Sequence, residues 1–428
     1  MKTSEERIIL NKQKFYHEFS ETTIFMGKMF TENFFSLLLN LEEGWIVKSI
    51  ETDLNKEEVY INIDCILTEI FDNSIDELAP LYDYSPMRTW RHLDTLQFKT
   101  FIKCALPRVK TSEGKVKTIN PNWASGHQRH TFLFEHAVID LLKATKNQTR
   151  TAEIMRCPFN LVNRILHLAT ARGMERRNHS DLKFKHLSID EKSFRKGHNY
   201  ITVLSHPMSG CVLDVEEDRT KESCKKLINQ ILSEEQRMEV QTISMDMSKA
   251  FMSSAEELLP KAQIVHDRFH LISYLNTAID QVRRREVKKH VLLKESRYAL
   301  LKNPANLTDK QWMKFKSIRN ANYQVSKAWI VRENFKDLFS SDKHHGATLY
   351  YQWATDAMSN NIQEVTKVVS MFNSHISGVV SALINNAMAE RLNGKIQELK
   401  TVARGYRTFH NFRSAILFFN GGLDLYPH

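Results

Sequence analysis

The chain has 428 residues, 42% of them hydrophobic, and carries 60 Lys and Arg against 50 acids, a net charge of +10. That length calls for two or three domains, and the apolar content excludes a disordered or low-complexity chain. The positive excess, with a pI near 9.2, favours a polyanionic partner.

Five scattered cysteines without a CxxC pair fit a reducing cytoplasm better than a disulfide framework. The charged opening MKTSEERIILNKQKF has no apolar export core, and the run from Phe34 to Leu41 is too short to span a bilayer. The sequence therefore predicts a soluble, intracellular protein with no membrane partner.

Residues 1–125 read as a mixed α+β region. Large apolar residues recur at helical spacing over Phe25–Leu41, while 58–64 (EVYINID) and 97–106 (QFKTFIKCAL) alternate like strands. Between them, YDYSPMRTWRHLD sets Arg88, Arg91 and His92 around Trp90, a pattern that suits a phosphate backbone and equally a Trp-anchored surface turn. Residues 126–180 predict helices over 132–144, 149–155 and 161–171, the last ending at Gly173, followed by a basic linker. Helix, short helix, tight break, helix is the helix-turn-helix layout, and Asn163, Arg164 and His167 form the polar face of its last helix.

Residues 181–270 predict strands at 184–189, 200–204 and 210–215, a helix at 220–232, a strand at 240–245, a helix at 250–259 and a strand at 262–265. Three meandering strands followed by helix, strand, helix, strand is the order of a ribonuclease-H-like core. Residues 271–384 predict a basic α-helical insertion, with Trp312, Trp329 and Trp353 at helix-buried spacings. Residues 385–428 return to the core through a helix near 385–402 and another at 409–419. The fold class is therefore an α/β ribonuclease-H-like core with a large α-helical insertion, preceded by a mixed α+β region and a helix-turn-helix.

Three acids carry the chemistry. In KHLSIDEKS an apolar strand is expected to end on Asp190 and Glu191; in VQTISMDMS another ends on Asp246; Glu390 sits on the helix of NNAMAERLNGKIQELK. In such a sheet the first and fourth strands are neighbours, so their terminal acids meet and a later helix can add a third carboxylate. Hard oxygen donors of this kind, without Cys/His spacing for zinc, suit two Mg2+ ions, with Mn2+ as a substitute. Each acid also has a plain alternative: a turn acid at 190, a helix cap at 246, a solvated helix residue at 390. In IVHDRFHLI, Asp267 and His270 end a further strand and read as accessory groups, with Asp267 orienting. Arg283, Arg284 and Arg285 fan across roughly 200° of helix. Such a fan is not expected to share one acidic partner, so a phosphate backbone is the expected contact.

The blocks HLSIDEKSFRKGHNY, SMDMSKAF, PKAQIVHDRFHLI and NNAMAERLNGKIQELKTVARGYRTFHNFR, in this order and spacing, resemble the ISL-three family of insertion-sequence transposases from about residue 80 onward. The resemblance implies a DDE transposase whose triad and metal ligands are Asp190, Asp246 and Glu390. It implies double-stranded DNA as partner, both terminal inverted repeats and target, and a homodimer or higher assembly in the bacterial cytoplasm, associated with the nucleoid. Glu191, Asp267 and His270 are the accessory groups. The expected DNA contacts are Arg88, Arg91, Asn163, Arg164, Arg195, Lys196, Arg283, Arg284, Arg285, Lys395, Arg404 and Arg407. The chain departs from the family in lacking paired cysteines before WRHLD, so structural zinc is not expected. A helix-turn-helix regulator without catalysis, and a metal nuclease that cuts without joining, are the alternative functions.

Overall fold

The computed structural model describes residues 31–72, 77–125, 127–177, 184–195, 199–341, 343–384 and 390–427; of residues 72, 343 and 390–393 only the backbone is described. The chain forms two compact units, one of 1–169 with 425–428, the other of 170–424.

In the first unit, residues 31–38 are helical (α1). Strands β1 (Trp45–Asp53), β2 (Glu58–Cys65), β6 (Lys99–Cys104) and β5 (Arg88–Arg91) make one sheet in the order β1-β2-β6-β5. A second sheet orders β3 (Glu69–Asp72), β4 (Glu77–Tyr84), β7 (Pro107–Lys110) and β8 (Val116–Thr118). Both sheets contribute to one core that includes Ile61, Ile63, Trp90, Ile102, Leu106 and Val109. Helices α2 (Phe132–Thr145), α3 (Gln148–Ile154) and α4 (Phe159–Arg176) follow. Thr131 and Asn147 cap α2 and α3 by accepting from the N–H of Phe134 and Arg150. Helix α4 runs through Gly173 rather than stopping there, and its last turns belong to the second unit.

The second unit is built on a five-stranded sheet. Strands β9 (His186–Arg195), β10 (Asn199–His206) and β11 (Cys211–Glu217) form an antiparallel meander; helices α5 (Lys221–Ile231) and α6 (Glu234–Glu239) lead to β12 (Thr242–Met245), and α7 (Lys249–Leu258) to β13 (Gln263–His266). The order is β11-β10-β9-β12-β13, with β12 parallel to both β9 and β13, which is the arrangement expected from the sequence. Side chains alternate between the two faces. Leu187, Ile189, Leu204, Leu213 and Ile243 face α5 and α7, while Ile201, Val203, Val212 and Val215 face the other way.

Helices α8 (Arg268–Glu286), α9 (Arg297–Leu301), α10 (Asp309–Asn320), α11 (Gln324–Leu338), α12 (Gly346–Ser359), α13 (Gln363–Ser374) and α14 (Ile376–Ile384) share a core of their own. Trp353 lies in it and donates its indole N–H to Val331 O at 2.9 Å, whereas Trp312 is 37% exposed, contrary to the expected burial. Helix α14 lies on β13, where Gly378 meets His266 and Gln263 donates to Ser381 Oγ at 2.6 Å. Helices α15 (Glu390–Val402) and α16 (Phe409–Asn420) return to the sheet. Ile396, Leu399 and Phe412 pack on the Ile201–Val203 face, and Arg413 binds Asp214 with two 2.7 Å bonds. Among the described residues no single helix is long and apolar enough to cross a membrane.

Candidate active site

Strand β9 does not end at Asp190, as the sequence reading expected. It continues to Arg195 because β10 pairs along it, Val203 opposite Asp190 and Ile201 opposite Lys192. What ends near Asp190 is the neighbour on the other side. β12 pairs with β9 as Thr242 to His186 and Ser244 to Ser188, and two more residues in that register bring Asp246 beside Asp190. The 56-residue spacing of the two acids equals the register offset. Because Asp190 lies across from Val203, and Ser244 across from Ser188, both carboxylates project from the face opposite α5 and α7.

Helix α8 closes this end of the sheet. Asp267 donates its N–H to Met245 O at 3.0 Å, and its carboxylate caps α8 by accepting from Phe269 N at 2.7 Å. Asp267 is 5% exposed, and its carboxylate serves as the N-cap of α8. The cap places His270 and, one turn on, Tyr274 over the acids. His270 Nε2 lies 3.5 Å from Asp190 Oδ1, and its Nδ1 lies 3.6 Å from Asp246 Oδ2. Tyr274 donates its hydroxyl to Asp246 Oδ1 at 3.1 Å. Asp246 does not cap α7, whose N-cap residue is Ser248.

Lys192 Nζ lies 2.7 Å from Asp190 Oδ2, off the line of a hydrogen bond, so that buried oxygen has an ion pair but no donor aligned to it. Burial would raise the Asp190 carboxyl, but His270 and Lys192 outweigh it and hold the group below its ordinary value. Asp190 in turn raises the His270 imidazole against the effect of burial, with Asp246 and Asp267 adding to the rise. Burial and Asp246 push the Tyr274 phenol up to about 12, so it remains a donor at neutral pH. Glu191 points away from the pair and binds Arg219 at 3.0 Å.

The acid pair offers adjacent hard oxygen donors on one face, which fits a divalent cation; among the described residues no group of three His, Cys, Asp or Glu side chains is placed to hold one. Glu390 opens α15, but its side chain lies outside the described residues. The body of α15 packs on the same sheet face as the two aspartates. Lys192 and Tyr274 escaped the sequence reading. Lys192 followed an acid taken for a strand end, and Tyr274 reads as an ordinary amphipathic-helix position. A clue was available, since Tyr274 follows His270 by four residues, one helical turn.

The expected DNA contacts divide into several groups. Arg164 and Arg195 are exposed and Asn163 is half-buried; Lys395, Arg404 and Arg407 are exposed, and Lys196 lies outside the described residues. Arg91 is a correction: 8% exposed, it bonds to His92 O, Thr100 O and Asp94, and Arg156 binds the same Asp94. Trp90 beside it is fully buried against Trp123, so this stretch is a core strand, with Arg88 half-buried in it. The arginine triplet is paired within the fold without being buried. Arg283 and Arg284 share Asp280 at 2.8 Å each, since positions three and four residues on lie over the same turn, and Arg285 pairs with Glu364 at 3.2 Å, while Arg284 and Arg285 stay exposed. Cys65 and Cys104 are buried in the core of the first unit, and burial pushes the Cys104 thiol up to about 12.

The chain is similar to known transposases. The transposase for insertion sequence element IS1557 of Mycobacterium tuberculosis is 25% identical over 353 residues, 75% of this chain and 79% of that protein. The transposase for insertion sequence element IS1001 of Bordetella parapertussis is 25% identical over 297 residues, 67% of this chain and 72% of that protein. Among solved structures, the Drosophila P element transposase strand transfer complex aligns with 71% of this chain and 95% of its own, at 10% identity and a TM-score of 0.35. A family model of the ISL-three DDE type, described as "Transposase", matches residues 187–416. Spanning more than half of the chain, from the first strand of the second unit to its last helix, that match makes the protein a DNA transposase of the ISL-three family.

Proposed function

We propose that this transposase binds the terminal inverted repeats of its own element and carries out Mg2+-dependent strand cleavage and strand transfer with Asp190, Asp246 and Glu390 as the metal-binding triad. The supporting observation is that Asp190 and Asp246 meet on one sheet face around a single imidazole, at 3.5 and 3.6 Å. Family membership implies divalent-metal dependence in general; Mg2+, with Mn2+ as substitute, follows from the all-oxygen donor set. Bound there, two such ions would activate a water or a 3′-hydroxyl and stabilise the leaving oxygen of a phosphodiester.

The chain's own residues prepare that site. β9 and β12 fix the spacing of the two carboxylates by their register. His270 bridges them, and Tyr274 holds Asp246 by its hydroxyl. Asp267 anchors the helix that delivers both. Glu390 would enter from α15, which runs over the same face. Helices α2–α4 would hold the repeat ends through Asn163 and Arg164, with Arg195, Lys395, Arg404 and Arg407 on phosphates. Target DNA, an active complex of two or more copies and a cytoplasmic, nucleoid-associated setting complete the proposal. A regulator without catalysis has no use for an acid pair built this way.

The test is incubation of purified protein with end-containing duplex and Mg2+, followed by separation of nicked and joined products. Asp190→Ala should abolish both products and leave DNA binding intact. Undiminished cleavage by that variant would refute the site.

A further inference from the structure

Positive charge is not spread over this protein. Residues 283–336 hold fifteen Lys and Arg against four acids, a balance of +11 that exceeds the +10 of the whole chain. Outside this stretch, cations and acids nearly cancel. Within it, the structure separates cations with a structural task from cations without one. Arg283, Arg284 and Arg285 neutralise Asp280 and Glu364, and Arg332 is fully buried against Asn276, Leu300 O and Glu333. By contrast, Lys294, Lys302, Lys310, Lys314, Lys316 and Arg319 make no ion pair with any carboxylate among the described residues. All but Lys314, which is partly buried, are exposed.

These six are neighbours on α10 and the turns around α9. Lys314 donates to Lys294 O, and Lys302 donates to Gln311 Oε1 at 3.4 Å. Exposed Trp312 and Tyr298 lie among them, with Lys316 and Lys302 over their rings at 5.3 and 5.7 Å. Glu295 and Asp309 are the exposed acids nearby. Uncompensated cations repel one another, so a surface like this is at its most stable against a polyanion.

We infer that this face docks duplex DNA by its phosphates without reading its sequence, and so holds target or flanking DNA rather than the element's ends. Two observations carry the choice. Five of the six cations are lysines, point charges that neutralise phosphate, where base edges are read by the planar fork of arginine or by amide side chains. The face also sits within reach of the chemistry. Helix α8 carries His270 over the acid pair and leads to Arg284, about 21 Å further on at 1.5 Å per residue, and α9 meets α8 near that end, where Arg297 lies 3.7 Å from Asp280. That corresponds to roughly six base pairs of duplex. DNA reacting at Asp190 and Asp246 and running along α8 would meet the lysines after half a helical turn or more.

The inference rests on the strand-transfer reading only for its joining arm; the binding arm stands alone. The test is the full-length variant Lys310→Gln, Lys314→Gln, Lys316→Gln, Arg319→Gln, with Lys225→Gln, Lys226→Gln as a control for neutralising lysines elsewhere, since those two already pair with Glu257 and Glu216. Anisotropy on a random-sequence duplex across a salt series should show at least a tenfold loss of affinity. The slope of log affinity against log salt should flatten by about 3 to 4, and the control should leave it unchanged. Joining into a plasmid target should fall, while hydrolysis at a short end duplex persists. An unchanged salt slope overturns the inference, as does a loss confined to the end sequence. Retained DNA affinity with lost binding to polyglutamate would assign the face to an acidic protein instead. Wild-type protein that binds DNA but neither cuts nor joins it would remove the strand-transfer reading, while the salt slope would still decide the surface.

Discussion

Gly378→Ala tests how the helical part is seated on the catalytic sheet. A Cβ built on Gly378 falls 2.6 Å from His266 Cδ2 and 2.7 Å from Nε2. His266 cannot swing clear, because it is 2% exposed on β13 and packed edge-to-face against His375 at 5.8 Å. Overpacking of this kind costs about 1–3 kcal/mol. Replacing a helical glycine by alanine returns about 0.5–1 kcal/mol. The expected net loss is about 0–2.5 kcal/mol, centred near 1 kcal/mol, or roughly 2–4 °C in the melting temperature for a body of this size. Gly394→Ala is the matched control: nothing lies within 4 Å of its Cβ, so the same change on α15 should stabilise by about 0.5–1 kcal/mol. In a His266→Ala background the Gly378 substitution should change sign and resemble the control. Melting curves of the four variants decide the matter. A stabilising Gly378→Ala in the wild-type background would mean that α14 does not rest on His266 as described.

Three further predictions concern other parts of the second unit. Burial pushes His266 down to about 4, so between pH 6.5 and 4 the unfolded chain binds the extra proton. Stability should therefore fall through that window by an amount on the order of 3 kcal/mol; His266→Phe should flatten the dependence in melts at pH 5 and 7. Arg332→Ala should destabilise by about 3–5 kcal/mol in urea titrations, because it leaves Asn276, Leu300 O and Glu333 without their buried partner. Asp246→Asn should lower cleavage by at least about a thousandfold with little change in melting temperature, as expected for a group whose task is to hold a metal rather than the fold; a large loss of stability would point to a structural acid.

The core of the second unit was legible because its signals are local. Apolar strands running into Asp190 and Asp246 set their 56-residue spacing, and strand order followed from the alternation of strand and helix. The exact partners of the acids were not legible. Tyr274 and Lys192 reach them only once α8 is capped by Asp267 and β9 is prolonged by pairing with β10. Short strands in the first unit were missed for a related reason. Arg88–Arg91 reads as a basic aromatic patch until Trp90 is buried against Trp123 and Arg91 finds Asp94. The pairing of the arginine triplet was hidden for the same cause: Asp280, three and four residues upstream, neutralises two of its members over a single turn. Charge read along the chain does not show which cations the fold will use. The lysines left unpaired on α10 became evident only after the paired ones were set aside.

The most direct measurement is metal-specific rescue at the three acids. Asp190→Cys, Asp246→Cys and Glu390→Cys each replace a hard oxygen by a softer sulfur, which favours Mn2+ over Mg2+. Cleavage of end-containing duplex by each variant is measured in either ion. Each of the three should be inactive in Mg2+ and regain activity in Mn2+. Cleavage at the wild-type rate in Mg2+ by any one of them would remove that residue from the metal site.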